Sequence, residues 1–173
     1  TVASKDLITI AGQLTTNASI DAEKIARDVL KEIGYDNENT DIDYRTCKVE
    51  TNITKQSTDI AMGVDIGGAG DQGIMFGYAC DETENYMPYA IDIAHKLSRK
   101  LTEVRKNATV PFLRPDGKTQ VTIEYEGDKP KRVETILVST QHFDNVTTEE
   151  VRSAVIENVI KESCAKDGDL LYI

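Results

Sequence analysis

The sequence predicts an α+β fold in which helices cover mixed or antiparallel sheets. Three observations lead there. Short runs of β-branched and apolar residues alternate with polar ones. Capped segments repeat their apolar residues at helical spacing. The two kinds of segment follow one another as β-α-β, a loop, then β-α-β-β-α-β, an order in which each helix can cover one face of a sheet.

Leu7 to Leu14 reads as the first strand and closes on a polar turn at Thr15 to Asn17. Ser19 or Asp21 can cap a helix running to about Ile33, with Ile25, Val29 and Ile33 four apart on one face. Gly34 supplies its stop, because glycine takes the left-handed cap conformation with little strain. Cys47, Val49, Thr51 and Ile53 alternate as in a half-buried strand. From Gln56 to Gly70 four glycines crowd beside Asp59 and Asp65, which predicts a mobile loop. Ile74 to Ala79 is short and apolar and predicts a buried strand.

Pro88 suits the first turn of a helix, and Ile91, Ala94, Leu97, Leu101 and Val104 carry that helix to about Lys106. Pro115, Asp116 and Gly117 predict a turn. Val121 to Tyr125, a turn at Gly127 to Pro130, and Val133 to Ser139 form a hairpin. Thr147 and Glu150 make a capping box, with Val146 and Val151 as its hydrophobic staple, and Val151, Val155 and Val159 continue one helix face. Leu170 to Ile173 begins another strand. The two halves read as loose repeats of strand, helix and strand.

Composition narrows the class of function. Among 173 residues, 39% are hydrophobic and 29% charged, which is enough apolar material for a core. A net charge of -10 and a pI near 4.7 argue against a nucleic-acid partner, which demands Lys and Arg against phosphate. The same balance leaves a nucleotide substrate open, because a few local cations suffice. No apolar run is long enough for a membrane span. Cys47, Cys80 and Cys164 fit neither a disulfide framework nor a CxxC metal site, and reduced thiols in a cytoplasmic protein account for them.

Chemistry concentrates in a few segments. In GAGDQGIMFGYA, Gly68 to Ala79, glycines surround Asp71; the backbone can approach a ligand there and the acid can receive an ammonium or a ribose hydroxyl. A tight turn entering a strand explains the same residues. In LRPDGKTQ, Leu113 to Gln120, Asp116 and Lys118 lie two apart and would share one side of an extended chain, placed to hold a ribose hydroxyl and a phosphate. A surface turn with an incidental ion pair is the alternative. Gln56, at the edge of the glycine-rich stretch, can bind a small polar ligand or simply face water. His95 and His142 have no Cys or Ser partner in a catalytic pattern and read as structural. No HExxH, GxSxG or GxxxxGK[ST] string occurs, and no metal cluster is visible.

GAGDQGIMFGYA resembles the signature of the S-adenosylmethionine synthetases. AGQLTTNASID, EIGYD, KQSTDIAMGVD, ETENYMPYAIDIAHKL, EVRKNATVPFLRPDGKTQVT and VSTQH match that family in the same order, so the resemblance spans nearly the whole chain. It implies a transferase in which the methionine sulfur attacks C5′ of ATP and displaces triphosphate, which is then hydrolysed to pyrophosphate and phosphate. It implies Asp116, Lys118 and Thr119 as the ATP-binding D-x-K-[ST] element, with Asp116 on ribose and Lys118 on triphosphate. Gln56, Gln13 and Asp71 fall at methionine-binding positions, and Lys118 and Asp71 are the catalytic candidates. Mg2+ and K+ are implied as cofactors, with ligands lying mostly outside this chain. Three pseudo-repeated domains are implied, two of them here: residues 1–57 as the remainder of the first, 58–69 as a mobile gating loop and 70–173 as the central domain. The implied assembly is a homodimer, or a dimer of dimers, with active sites shared between subunits.

The chain departs from the family pattern in places. Gln13 stands where glutamate is usual, and keeps the hydrogen bonds without the charge. Thr58 replaces a proline, and the stretch between Asp65 and Gly68 is short. The family's GHPDK and GGGAFSGKD elements do not occur in these residues. The expectation is therefore an interior piece of a synthetase, inactive by itself. A truncated, non-catalytic paralogue that regulates a full-length subunit is the alternative.

Overall fold

The computed structural model describes residues 1–36, 42–64, 67–68 and 73–164. The chain forms two compact units, Thr1–Phe76 and Gly77–Ile173.

In the first unit, β1 (Val2–Ser4) pairs antiparallel with β2 (Leu7–Gln13), and β2 pairs in parallel with β3 (Lys48–Thr54). The crossover between the parallel strands contains α1 (Ala22–Ile33). Of the two predicted caps, Asp21 is the one used: its carboxylate accepts the Lys24 N–H at 2.9 Å. Gly34, at φ 105°, closes the helix, and the Gly34 and Tyr35 N–H groups both reach back to the Leu30 carbonyl. Arg27 ties α1 to the chain entering β3 by donating to the carbonyls of Tyr44 (2.7 Å) and Cys47 (3.0 Å). The small core is Ile8, Leu30 and Cys47, with Ile10 and Val49 against it. The apolar face predicted for α1 is present but faces outward: Ile25 is 54% exposed and Val29 and Ile33 are exposed beside it.

Two expectations change here. Thr58–Val64, within the stretch predicted as a loop, is a helix, α2. Its glycines begin only at Gly63, and Ser57 starts the helix by accepting the Ala61 N–H through its carbonyl at 3.0 Å. Ile74 to Ala79 is not a buried strand. It has no regular structure, and Ile74 and Phe76 are 80% and 93% exposed. Apolar composition alone does not bury a segment that pairs with no sheet edge.

The second unit is built on α3 (Tyr89–Lys106) and a long hairpin of β4 (Leu113–Glu126) and β5 (Lys129–His142). Helix α4 (Thr148–Val155) passes through a π-helical turn (Ile156–Ile160) into α5 (Lys161–Cys164). The capping box is present, with the Glu150 carboxylate accepting the Thr147 N–H at 2.8 Å. Ile93, Leu97, Val104, Val110, Leu113 and Val159 fill the core between α3, β4 and the last helices. The turn predicted at Pro115 to Gly117 is instead a bulge within β4. Leu113 faces His142 and Gly117 faces Thr140, so three residues of β4 stand against one of β5. The strand expected at Leu170 to Ile173 lies outside the described residues.

Candidate functional site

The bulge decides which way the β4 side chains face. A Cβ on Gly117 would sit 2.7 Å from the Leu101 side chain, so this position faces α3. Thr119 faces α3 as well, its hydroxyl donating to the Ala94 carbonyl at 2.8 Å. Strand alternation then sets Lys118, and Asp116 beyond Gly117, on the opposite side, where both are exposed. Neither makes an ion pair or side-chain hydrogen bond with another described residue. The incidental ion pair offered by the sequence is thus not formed. Arg114 holds the other side of the bulge; it is buried, with its guanidinium 4.9 Å from the centre of the Phe143 ring.

In the first unit, Gln13 ends β2 opposite Thr54, and half-buried Gln56 follows two residues later. Both glutamines therefore stand at the carboxyl end of the parallel pair, the end where open α/β sheets take ligands. Asp71 lies outside the described residues. Gln13 and Gln56 belong to the first unit; Asp116, Lys118 and Thr119 belong to the second.

A clasp that the sequence did not disclose fixes the chain after the glycine-rich signature. Glu82 accepts the Tyr125 hydroxyl at 2.6 Å and the Tyr89 N–H at 2.8 Å. The Tyr125 hydrogen bond, joined by the Tyr89 amide, holds the Glu82 carboxyl below its usual range. The same carboxylate pushes the Tyr125 phenol up to about 12. The partners are 43 residues apart, and no local pattern announces such a pair. Between Glu82 and α3, Asn85 donates to buried Asp92 at 2.9 Å, and Lys96 pairs with that carboxylate at 2.9 Å. Tyr86 sits in the left-handed region at φ 59° inside this network.

Comparison with known proteins agrees with this ordering of segments. The profile described as "S-adenosylmethionine synthetase, N-terminal domain" matches residues 1–58, and "S-adenosylmethionine synthetase, central domain" matches residues 66–172. The chain belongs to the S-adenosylmethionine synthetase family. Among curated relatives, the S-adenosylmethionine synthase of Clostridium tetani (strain Massachusetts / E88) is 51% identical over 170 residues, covering 90% of this chain and 44% of the relative. That of Clostridium botulinum (strain Alaska E43 / Type E3) is 49% identical over 174 residues, covering 92% of this chain and 44% of the relative. The chain thus spans less than half the length of the synthases it matches. As in the sequence reading, it carries parts of two synthetase domains in an α+β arrangement. None of its three cysteines is in a disulfide, and among the described residues no helix is long and apolar enough to cross a membrane.

Proposed function

We propose that this chain supplies part of the active site of a methionine adenosyltransferase, in which the sulfur of methionine attacks C5′ of ATP and triphosphate departs. The observation that carries this reading is the pair Asp116 and Lys118, exposed on one side of β4, free of other described partners, and matching the family's D-x-K element. In this reading Asp116 accepts from the ribose hydroxyls. Lys118 offsets the charge that grows on the departing oxygen, the electrostatic contribution such a leaving group requires. Thr119 holds β4 on α3 through its hydroxyl and leaves its backbone for the nucleotide. Gln13, Gln56 and Asp71 orient methionine, so that sulfur and C5′ meet in line.

The displaced triphosphate is then hydrolysed to pyrophosphate and phosphate. Mg2+ and K+ are implied by the family, Mg2+ offsetting charge on the phosphate oxygens. Among the described residues no three His, Cys, Asp or Glu side chains gather into a metal site, and no step is routed through one here. The reading extends to a cytoplasmic protein whose active sites are shared between the subunits of a homodimer or a dimer of dimers. It places residues 1–57 in the first domain, 58–69 in a segment gating the substrates and 70–173 in the central domain.

The deciding experiment is Lys118→Ala in a full-length protein carrying this chain. Turnover should fall by about tenfold or more, equivalent to ~1.4 kcal/mol of transition-state stabilisation. An unchanged rate removes Lys118 from the chemistry. Residues 1–173 alone should form no S-adenosylmethionine from ATP and methionine with Mg2+ and K+ present; measurable product would overturn that part of the reading.

A further inference from the structure

The two units differ in one structural respect. In the first, a hairpin (β1–β2) is followed by a helix (α1) and then by β3, which pairs in parallel with the second hairpin strand. In the second, the hairpin β4–β5 is followed by α4 to α5, and among the described residues β5 pairs with β4 alone. Beside β5 lies an open cleft of about 680 Å3. Consecutive residues Val133 to Val138 all line it, so it runs along the strand's edge rather than over one face. Val151, Val155, Ile156 and Ile160 form its apolar floor. The π-turn and α5 pack on α3, while this cleft separates the α4 side from β5.

We propose that Leu170–Ile173 fills this cleft as a third strand, parallel to β5. The reach is sufficient. The helical run after His142 contributes eight, five and four residues, about 25 Å at ~1.5 Å per residue. That length returns the chain along about seven residues of β5, at ~3.3 Å each, to the neighbourhood of Thr135. Residues 165–169, with Asp167, Gly168 and Asp169, provide the turn. Leu170, Leu171, Tyr172 and Ile173 then run the same way as β5, one alternate pair of side chains meeting the apolar floor. The outer N–H and C=O groups of β5 gain partners, and the second unit acquires the strand order of the first. The inference stands on the repeat and the cleft and is independent of the chemistry proposed above.

Amide hydrogen exchange on the 173-residue chain tests it. The edge amides of Val133 to Val138 should be protected by about a hundredfold or more over free peptide, independently of protein concentration. Leu171→Pro removes an N–H and a strand conformation. It should release those amides while leaving Lys48–Thr54 protected, which shows that the variant still folds. Free exchange along β5 in the unaltered chain would overturn the proposal, as would protection that Leu171→Pro leaves intact. Protection that grows with concentration would assign the edge to a second copy instead. Should Leu171→Pro unfold the chain, the concentration series on the unaltered chain decides by itself.

Discussion

The two ends of the β4–β5 hairpin treat their charges in opposite ways. Near the tip, Arg132 pairs with Glu124 at 2.6 Å and with Glu134, and Lys131 lies 3.5 Å from Glu124 and 3.7 Å from Glu126. Near the base, Asp116 and Lys118 remain apart. Spacing does not explain this, since Lys48 and Glu50, also two apart in a strand, pair at 2.5 Å. The base differs in its backbone. The bulge between Leu113 and Gly117 displaces Asp116 from regular pleat geometry, and aspartate is a methylene shorter than glutamate. Charges that satisfy one another hold a hairpin in register. Charges kept apart by the backbone stay available for a ligand.

The sharpest way to break this contrast is to disturb the bulge. Gly117→Val would place a branched side chain where a Cβ already meets Leu101 at 2.7 Å. Overpacking of this kind costs about 1–3 kcal/mol. Urea unfolding should register that loss, and turnover of the full-length protein should fall with it, because Lys118 is carried by the neighbouring residue. Equal stability would mean that Leu101 yields and that the bulge does not depend on a glycine.

Next in size is a paired substitution at the two ends. Lys118→Ala should slow the full-length enzyme by about tenfold or more. Lys131→Ala, which removes a cation from the exposed tip network, should leave turnover within about twofold and stability within about 0.5 kcal/mol. Equal effects on turnover would dissolve the distinction between paired and unpaired charge.

Much of the fold was legible because its signals are local. Asp21, Gly34, Thr147 and Glu150 mark helix ends through their own side chains or their own φ, and the periodicity of Ile93 to Val104 declares a buried helix face. What escaped depends on partners far along the chain. Ile74 to Ala79 looks like a strand by composition, yet no edge receives it. The turn signal Pro-Asp-Gly was read correctly as an irregularity, but a strand pairing with Thr140 and His142 absorbs it as a bulge. Of the site, the outward pair Asp116 and Lys118 follows from alternation. The inward hydroxyl of Thr119 does not, because its acceptor lies on a helix 25 residues earlier.

The gentlest probe concerns the Glu82–Tyr125 clasp, near the paired end of the same strand. The Glu82 carboxylate stabilises the neutral phenol, which raises the Tyr125 pKa to about 12, and the phenol in turn lowers that of Glu82. The raised tyrosine pKa contributes stability that is fully present below the ordinary phenol pKa of about 10 and is lost as pH climbs to about 12. The lowered carboxyl pKa contributes stability that is present above the ordinary glutamate range and is lost as pH falls through the folded value. Subtracting the ultraviolet tyrosinate titration of Tyr125→Phe from that of the unaltered chain isolates this one phenol. Its midpoint should lie near 12 and drop toward the ordinary value in Glu82→Gln, which keeps an acceptor but removes the charge. A midpoint unmoved by Glu82→Gln would show that burial, not the carboxylate, holds the proton. The loop between the signature and α3 would then be fastened by Asn85, Asp92 and Lys96 alone.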